Sequence, residues 1–147
     1  MQNTMTFQAV ISAVRTFSLA FKIPFSNSPT TEITAEGVAL RHRLMEEENN
    51  EYLEAAEAGD LVEVADALGD QLYILCGTIL SHGMQDVIED VFREIQASNM
   101  SKLGENGLPI LREDGKVMKG PHYFRPDISK ILAESDTAIR KQIESEL

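Results

Sequence analysis

The sequence predicts an all-α protein: an antiparallel bundle of about five helices, with a short Gly/Lys-rich hairpin-like loop before the last one. Three observations carry that reading. Apolar residues recur at helical rather than alternating spacing along most of the chain. The breaks between periodic segments hold helix-capping and helix-stopping residues. Alternating, β-prone runs around a turn dipeptide are confined to one stretch near residue 114. At 147 residues, 43% of them apolar and with no internal repeat or low-complexity tract, the chain fits one globular domain, 1–147.

The first helix places Phe7, Val10, Ile11, Val14, Phe17 and Phe21 on one side. Only Arg15 and Lys22 supply positive charge opposite, too little for a membrane-surface helix, so the apolar side is assigned to a core. Pro24, Ser26, Asn27, Ser28 and Pro29 then form a loop. A second helix begins near Thr31 to Thr34 and runs to about Ala58, where Gly59 stops it. Asp60 caps the third helix and Glu63 completes a capping box. A connection this short folds the two helices into an antiparallel hairpin.

The third helix carries Leu61, Ala65, Leu68, Leu72, Leu75 and Ile79 on one stripe, with Glu63, Asp66 and Asp70 on the other side. Tyr73, Ile74 and Gly77 continue the acidic line, so the end of this helix is apolar nearly all round and needs cover from another helix or subunit. A fourth helix follows Gly83, with Val87, Ile88, Val91, Phe92 and Ile95 as its stripe. A fifth runs from Asp127 to the C-terminus. The intervening residues 99–126 are rich in Gly and Pro and hold Lys102, Arg112, Lys116, Lys119 and Arg125, with Asp114-Gly115 as a hairpin turn.

Charge singles out the hairpin of the second and third helices. Between Glu46 and Asp70 lie ten carboxylates and no Lys or Arg, nearly the whole net charge of −11. On the second helix Leu40, Leu44, Glu47, Glu51 and Glu54 share a face, with Glu48 about 100° away, so acids occupy inward positions. An inward carboxylate must be neutralised by protonation, by a basic partner or by a metal, and no Lys or Arg lies between Glu46 and Asp70. The motif is E-x-x-E, Glu48 to Glu51, then E-x-x-D, Glu63 to Asp66, with Asp70 one turn further. Hard cations such as Mg²⁺ take such oxygen ligands together with substrate phosphates. The competing reading, a solvated acidic face with ordinary capping, is disfavoured by the inward register.

Other classes are excluded on composition. An acidic chain lacks the clustered Lys and Arg that a nucleic-acid polymer requires. No stretch reaches the roughly 20 apolar residues of a membrane span. The single Cys76 sits in an apolar run, as a buried thiol of a protein in a reducing, cytoplasmic compartment. His42, His82 and His122 show no ligand spacing, and the absence of any E-x-x-H removes the di-iron bundles.

Four stretches, EEENNE (46–51), DALGDQLYILCGTILSHGM (66–84), NMSKLGENG (99–107) and REDGKVMKGPHYFRPD (112–127), with weaker support from VRTFSLAFKIPF (14–25), resemble the all-α nucleoside triphosphate pyrophosphohydrolases. That superfamily includes MazG, phosphoribosyl-ATP pyrophosphohydrolase and the dimeric dUTPases. The resemblance implies a helical bundle that binds Mg²⁺, with Mn²⁺ as a substitute, and splits a nucleoside triphosphate between its α and β phosphates. It makes Glu48 and Glu51 metal ligands, and Glu47 a further ligand or the carboxylate that orients the attacking water. Asp70 matches the family's aspartate, but Ala67 stands where a glutamate is expected, so Asp66 or Glu63 would take its place. Lys102, Lys116 and Lys119 would hold the outer phosphates or the leaving pyrophosphate, and Asn99 and Tyr123 would contact the nucleotide. Cleaning of the nucleotide pool, with dUTP or another non-standard or excess nucleotide as substrate, is the implied role. The alternative is a catalytically inactive helical oligomer that binds a nucleotide or a protein, suggested by Ala67. Either way a homodimer or homotetramer is expected.

Overall fold

The computed structural model describes residues 4–146, and of residues 138 and 139 the backbone alone. Five helices follow in order: α1 (Phe7–Ala20), α2 (Ala35–Ala58), α3 (Leu61–Ser81), α4 (Ile88–Met100) and α5 (Ile128–Ser145). The chain divides into two compact units, one ending at Gln85 and the other beginning at Asp86.

The helix ends in the first unit follow their local chemistry. Thr6 Oγ1 accepts from Ala9 N–H (3.1 Å) at the start of α1, and Thr34 Oγ1 accepts from Gly37 N–H (3.0 Å) at the start of α2. Gly59 ends α2 in the left-handed conformation, φ 68°. Asp60 Oδ1 then accepts from Glu63 N–H (3.1 Å). The Asp60 N–H donates to Ala55 O (3.0 Å), so the expected capping box forms on one side only: the helix before it has already taken the donor that Glu63 would bond.

The tight turn lays α3 along α2, its most extensive packing partner, and α1 covers another side of α3. The core consists of Ile11 and Val14 from α1, Ala55 from α2, and Ala67, Cys76, Ile79 and Leu80 from α3. Cys76 is wholly buried, as expected, and burial pushes its thiol pKa up. The expected leucine stripe of α3 takes a different place: Leu61, Leu68, Leu72 and Leu75 are exposed, Leu61 by 79%. Phe7, Phe17 and Phe21 of α1 are also exposed rather than core, although Phe17 stacks on Phe21 (4.4 Å) and meets Tyr73 edge-on (5.5 Å). Within one chain, the buried side of α3 runs through Ala67, Cys76, Ile79 and Leu80, and the line through Leu61, Leu68, Leu72 and Leu75 is left outside it.

The 21–34 connection is pinned to the end of α3. Ser26 N–H donates to Leu80 O (3.0 Å) and Thr30 N–H to His82 O (2.9 Å). His82 Nδ1 lies 2.9 Å from Thr30 O, which fixes the proton on that nitrogen and gives this histidine the structural role expected of it. Gln85 Nε2 donates to Ser26 O (2.8 Å), and Gln8 Nε2 to Gln85 O (3.1 Å).

In the second unit α4 packs on α5, whose first turn is capped by Asp127 Oδ1 accepting from Lys130 N–H (3.1 Å). The expected hairpin turn forms at Asp114-Gly115, with Arg112 N–H bonded to Lys116 O and Met118 N–H to Ile110 O, each 2.8 Å. It closes a single antiparallel bridge, Leu111 to Val117, and no strand exists among the described residues. The buried Ser98 ties the following segment to α4 by donating to Phe124 O (2.8 Å). No described helix is long and apolar enough to cross a membrane.

Candidate active site

The inward line of α2 is Arg41, Leu44, Glu48 and Ala55, all half-buried or buried. That line is turned roughly a quarter circle from the face on which Glu47, Glu51 and Glu54 lie, and those three are exposed. The acid carried inward is therefore Glu48. Its Oε2 atom is shielded from solvent and has no hydrogen-bond partner.

Glu48 does not stand alone. Loss of solvent raises its pKa most, followed by the negative charges of Glu51, Asp70 and Asp66. Glu51 comes from the next turn of α2, and Asp66 and Asp70 come from α3 across the hairpin. Beside them Gln71 Nε2 donates to Asn49 Oδ1 (3.2 Å), linking the two helices at this level. Glu47 points elsewhere, its Oε1 4.0 Å from Arg43 Nε. Glu63 lies exposed in the first turn of α3, where Asp60 caps its N–H. Neither is among the charges that shift Glu48.

Among the described residues no three acidic, His or Cys side chains are already assembled to hold a metal ion. Like charges without a counter-ion hold one another apart. The donor set nevertheless fits a hard cation: four carboxylates from two facing helices, one of which presents a buried oxygen with nothing bonded to it.

Ala67, the departure from the family pattern, is only 2% exposed. A carboxylate there would be forced into the core. Ala67→Glu is expected to destabilise the metal-free protein by on the order of 3 kcal/mol, as buried unpaired charge does, read as a lower urea midpoint. An unchanged midpoint would show that this position has room for the glutamate.

The candidate substrate residues belong to the second unit. Lys102 Nζ donates to Asn99 Oδ1 (3.0 Å) at the end of α4, and Lys119 Nζ lies 4.7 Å from the centre of the Tyr123 ring. Lys116 is exposed in the hairpin turn, and Arg112 pairs with Asp114. Sequence reasoning missed Arg41. Its signal was its place two turns before Glu48 on the same side of α2, opposite the side-chain-free Gly77.

Carboxylates on both arms of a helical hairpin, within an all-α chain, are consistent with an all-α nucleotide pyrophosphohydrolase. More specifically, residues 14–99, more than half of the chain, match the family model described as phosphoribosyl-ATP pyrophosphohydrolase, and the chain belongs to that family. It is a pyrophosphohydrolase. Among solved structures it is similar to one provisionally described as an NTP pyrophosphohydrolase from Exiguobacterium sp. 255-15, with 25% identity over 94% of this chain and 98% of that one, at a TM-score of 0.46. The family match alone carries the assignment. No curated protein matches the chain.

Proposed function

We propose that this protein is a Mg²⁺-dependent nucleoside triphosphate pyrophosphohydrolase, releasing nucleoside monophosphate and pyrophosphate, that removes non-standard or excess nucleotides such as dUTP. The observation that carries the metal site is the unpartnered, buried Oε2 of Glu48 amid Glu51, Asp66 and Asp70. These four residues would hold Mg²⁺, with Mn²⁺ as a substitute. When bound, Mg²⁺ neutralises charge developing on the phosphate oxygens and acidifies a water. Glu48 and Glu51 present oxygens from one helix, and Asp66 and Asp70 from the other, so the hairpin itself sets their spacing. Glu47, which faces Arg43 in the metal-free protein, would serve as a further ligand or as the carboxylate that orients the attacking water. Glu63, at the start of α3, is the reserve for the position that Ala67 leaves without a carboxylate. Asn99 and Tyr123 contact the nucleotide, and Lys102, Lys116 and Lys119 carry its phosphate charge. Removing either Lys116 or Lys119 is expected to raise KM roughly tenfold, the cost of one charged hydrogen bond. A KM unchanged in both single Ala variants would remove them from the site.

The test is incubation of the purified protein with Mg²⁺ and a panel of nucleoside triphosphates, with products separated. Monophosphate plus pyrophosphate from a preferred nucleotide supports the reading. Release of orthophosphate, or no turnover of any nucleotide, contradicts it.

The reading includes a homodimer or homotetramer in the cytoplasm. Support comes from Leu61, Leu68, Leu72 and Leu75, an exposed leucine line along one helix that water penalises and a second copy would cover. Leu72→Glu is expected to turn the oligomer into a monomer by sedimentation equilibrium. A wild-type monomer, or an oligomer that Leu72→Glu leaves intact, would contradict this assignment of the interface.

A further inference from the structure

We propose that Arg41 selects the substrate's base, accepting one that presents a carbonyl at the edge farthest from the sugar and rejecting one that presents an amino group there. This rests on the nucleotide reading above and deepens it.

Arg41 lines a cavity of about 230 Å³ in the first unit, together with Ile23, Pro24, Phe25, Leu40 and Ser81. That is below the roughly 300–1,000 Å³ of pockets that enclose a whole ligand, and it suits one flat fragment of a substrate. The walls have the chemistry for such a fragment. Phe25 offers a ring, with the Arg15 guanidinium 5.3 Å from its centre.

The guanidinium is held but not satisfied. It lies against Gly77 so closely that a Cβ there would be 2.6 Å from one of its terminal nitrogens. It is half-buried, and burial lowers its pKa. Among the described residues it has no ion pair or side-chain hydrogen bond, although Glu32 lines the same cavity. Its donors reach solvent instead of being sealed in the core, so they are free to meet a ligand in the cavity.

Its position fits a nucleotide held by the carboxylates. Arg41 lies seven residues before Glu48 on the same side of α2, about 10.5 Å along the helix axis. That is a nucleoside's length from an α-phosphate at the acids. A guanidinium carries five N–H donors and no acceptor. It can therefore bond the O6/N7 edge of guanine or the O4 of uracil or thymine, whereas the amino group of adenine or cytosine meets it donor to donor. An unpaired donor on each side is what makes such rejection strong.

The test is equilibrium binding of non-hydrolysable α,β-imido triphosphates in Mg²⁺, comparing the uracil with the cytosine nucleotide and the guanine with the adenine nucleotide. The wild type is expected to favour the carbonyl-bearing member of each pair roughly tenfold or more. Arg41→Met should erase the preference by weakening the carbonyl nucleotides, leaving the amino ones within about threefold. Gly77→Ala keeps the charge but pushes the guanidinium aside, and should shrink the preference in the same direction. Equal binding within each pair, a preference for amino bases, or a uniform loss across all four nucleotides in both variants overturns the assignment. Because binding needs no turnover, an Arg41-dependent preference in a protein that hydrolyses nothing upholds Arg41 while refuting the pyrophosphohydrolase chemistry.

Discussion

Replacing Glu48 by Gln is expected to lower Mg²⁺-dependent turnover by on the order of 10³-fold, as removal of a central electrostatic contact does, while raising the melting temperature of the metal-free protein. The two effects have one cause. Glu48 is the carboxylate placed inward on α2, with one oxygen shielded from water and the charges of Glu51, Asp70 and Asp66 nearby, so its charge is held against the preference of the fold. A cation reverses that cost, and the amide of Gln removes it without changing the shape of the side chain. The pH dependence fixes the sign. Glu48 is raised above the ordinary carboxyl value of 4.5, so its ionised form weakens the folded state. That penalty is complete above the folded pKa, fades as pH falls through it and is gone below 4.5. The stability advantage of Glu48→Gln should therefore be largest near neutral pH and shrink on acidification. Melting curves at a series of pH values in EDTA check it. An advantage that grows on acidification would show that Glu48 is stabilising as a carboxylate.

The largest expected effect on stability comes from a residue outside the carboxylate cluster. Gly83→Ala should cost on the order of 4 kcal/mol. Gly83 has φ +65°, and a Cβ on it would lie 2.0 Å from the backbone oxygen of Ser28, which cannot swing away as a side chain could. Relief requires the 26–30 segment to leave the end of α3, breaking the Ser26–Leu80 and Thr30–His82 bonds. Gly59→Ala is the internal control: it has the same left-handed backbone, φ +68°, but nothing within 4 Å, so about 1 kcal/mol is expected. Urea unfolding of both variants decides the matter, with faster amide exchange at Ser26 and Thr30 expected in Gly83→Ala alone. Equal costs would mean that backbone strain, not the loop contact, governs both positions.

Much of this was written locally in the sequence. Gly59-Asp60 marked the turn between α2 and α3 to the residue, the start of α2 fell at the end of the expected Thr31–Thr34 window, Asp127 marked the start of α5, and the lone Cys76 in an apolar run was buried as expected. Such signals depend on a few neighbouring residues, and nothing distant overrides them. The inward face of α2 was not legible in the same way. Glu47, Glu51 and Glu54 share the spacing of Leu40 and Leu44, so periodicity alone placed them inside, while tertiary packing chose the line through Arg41, Leu44 and Glu48. Nor could periodicity tell whether the leucines of α3 face their own chain or lie on its surface, because a helix core stripe and a subunit-facing stripe obey one rule. The hairpin of acids was visible from composition. That Glu48 is its centre, and that Glu47 and Glu63 stand apart from it, required the fold.

The most direct test of the carboxylate site is titration of the protein with Mn²⁺, following free Mn²⁺ by its paramagnetic resonance, in the wild type and in Glu48→Gln. The account predicts saturable Mn²⁺ binding that Mg²⁺ displaces and that Glu48→Gln weakens by at least tenfold. Equal Mn²⁺ affinity in the two proteins, or no saturable binding in the wild type, would contradict a cation site built around Glu48.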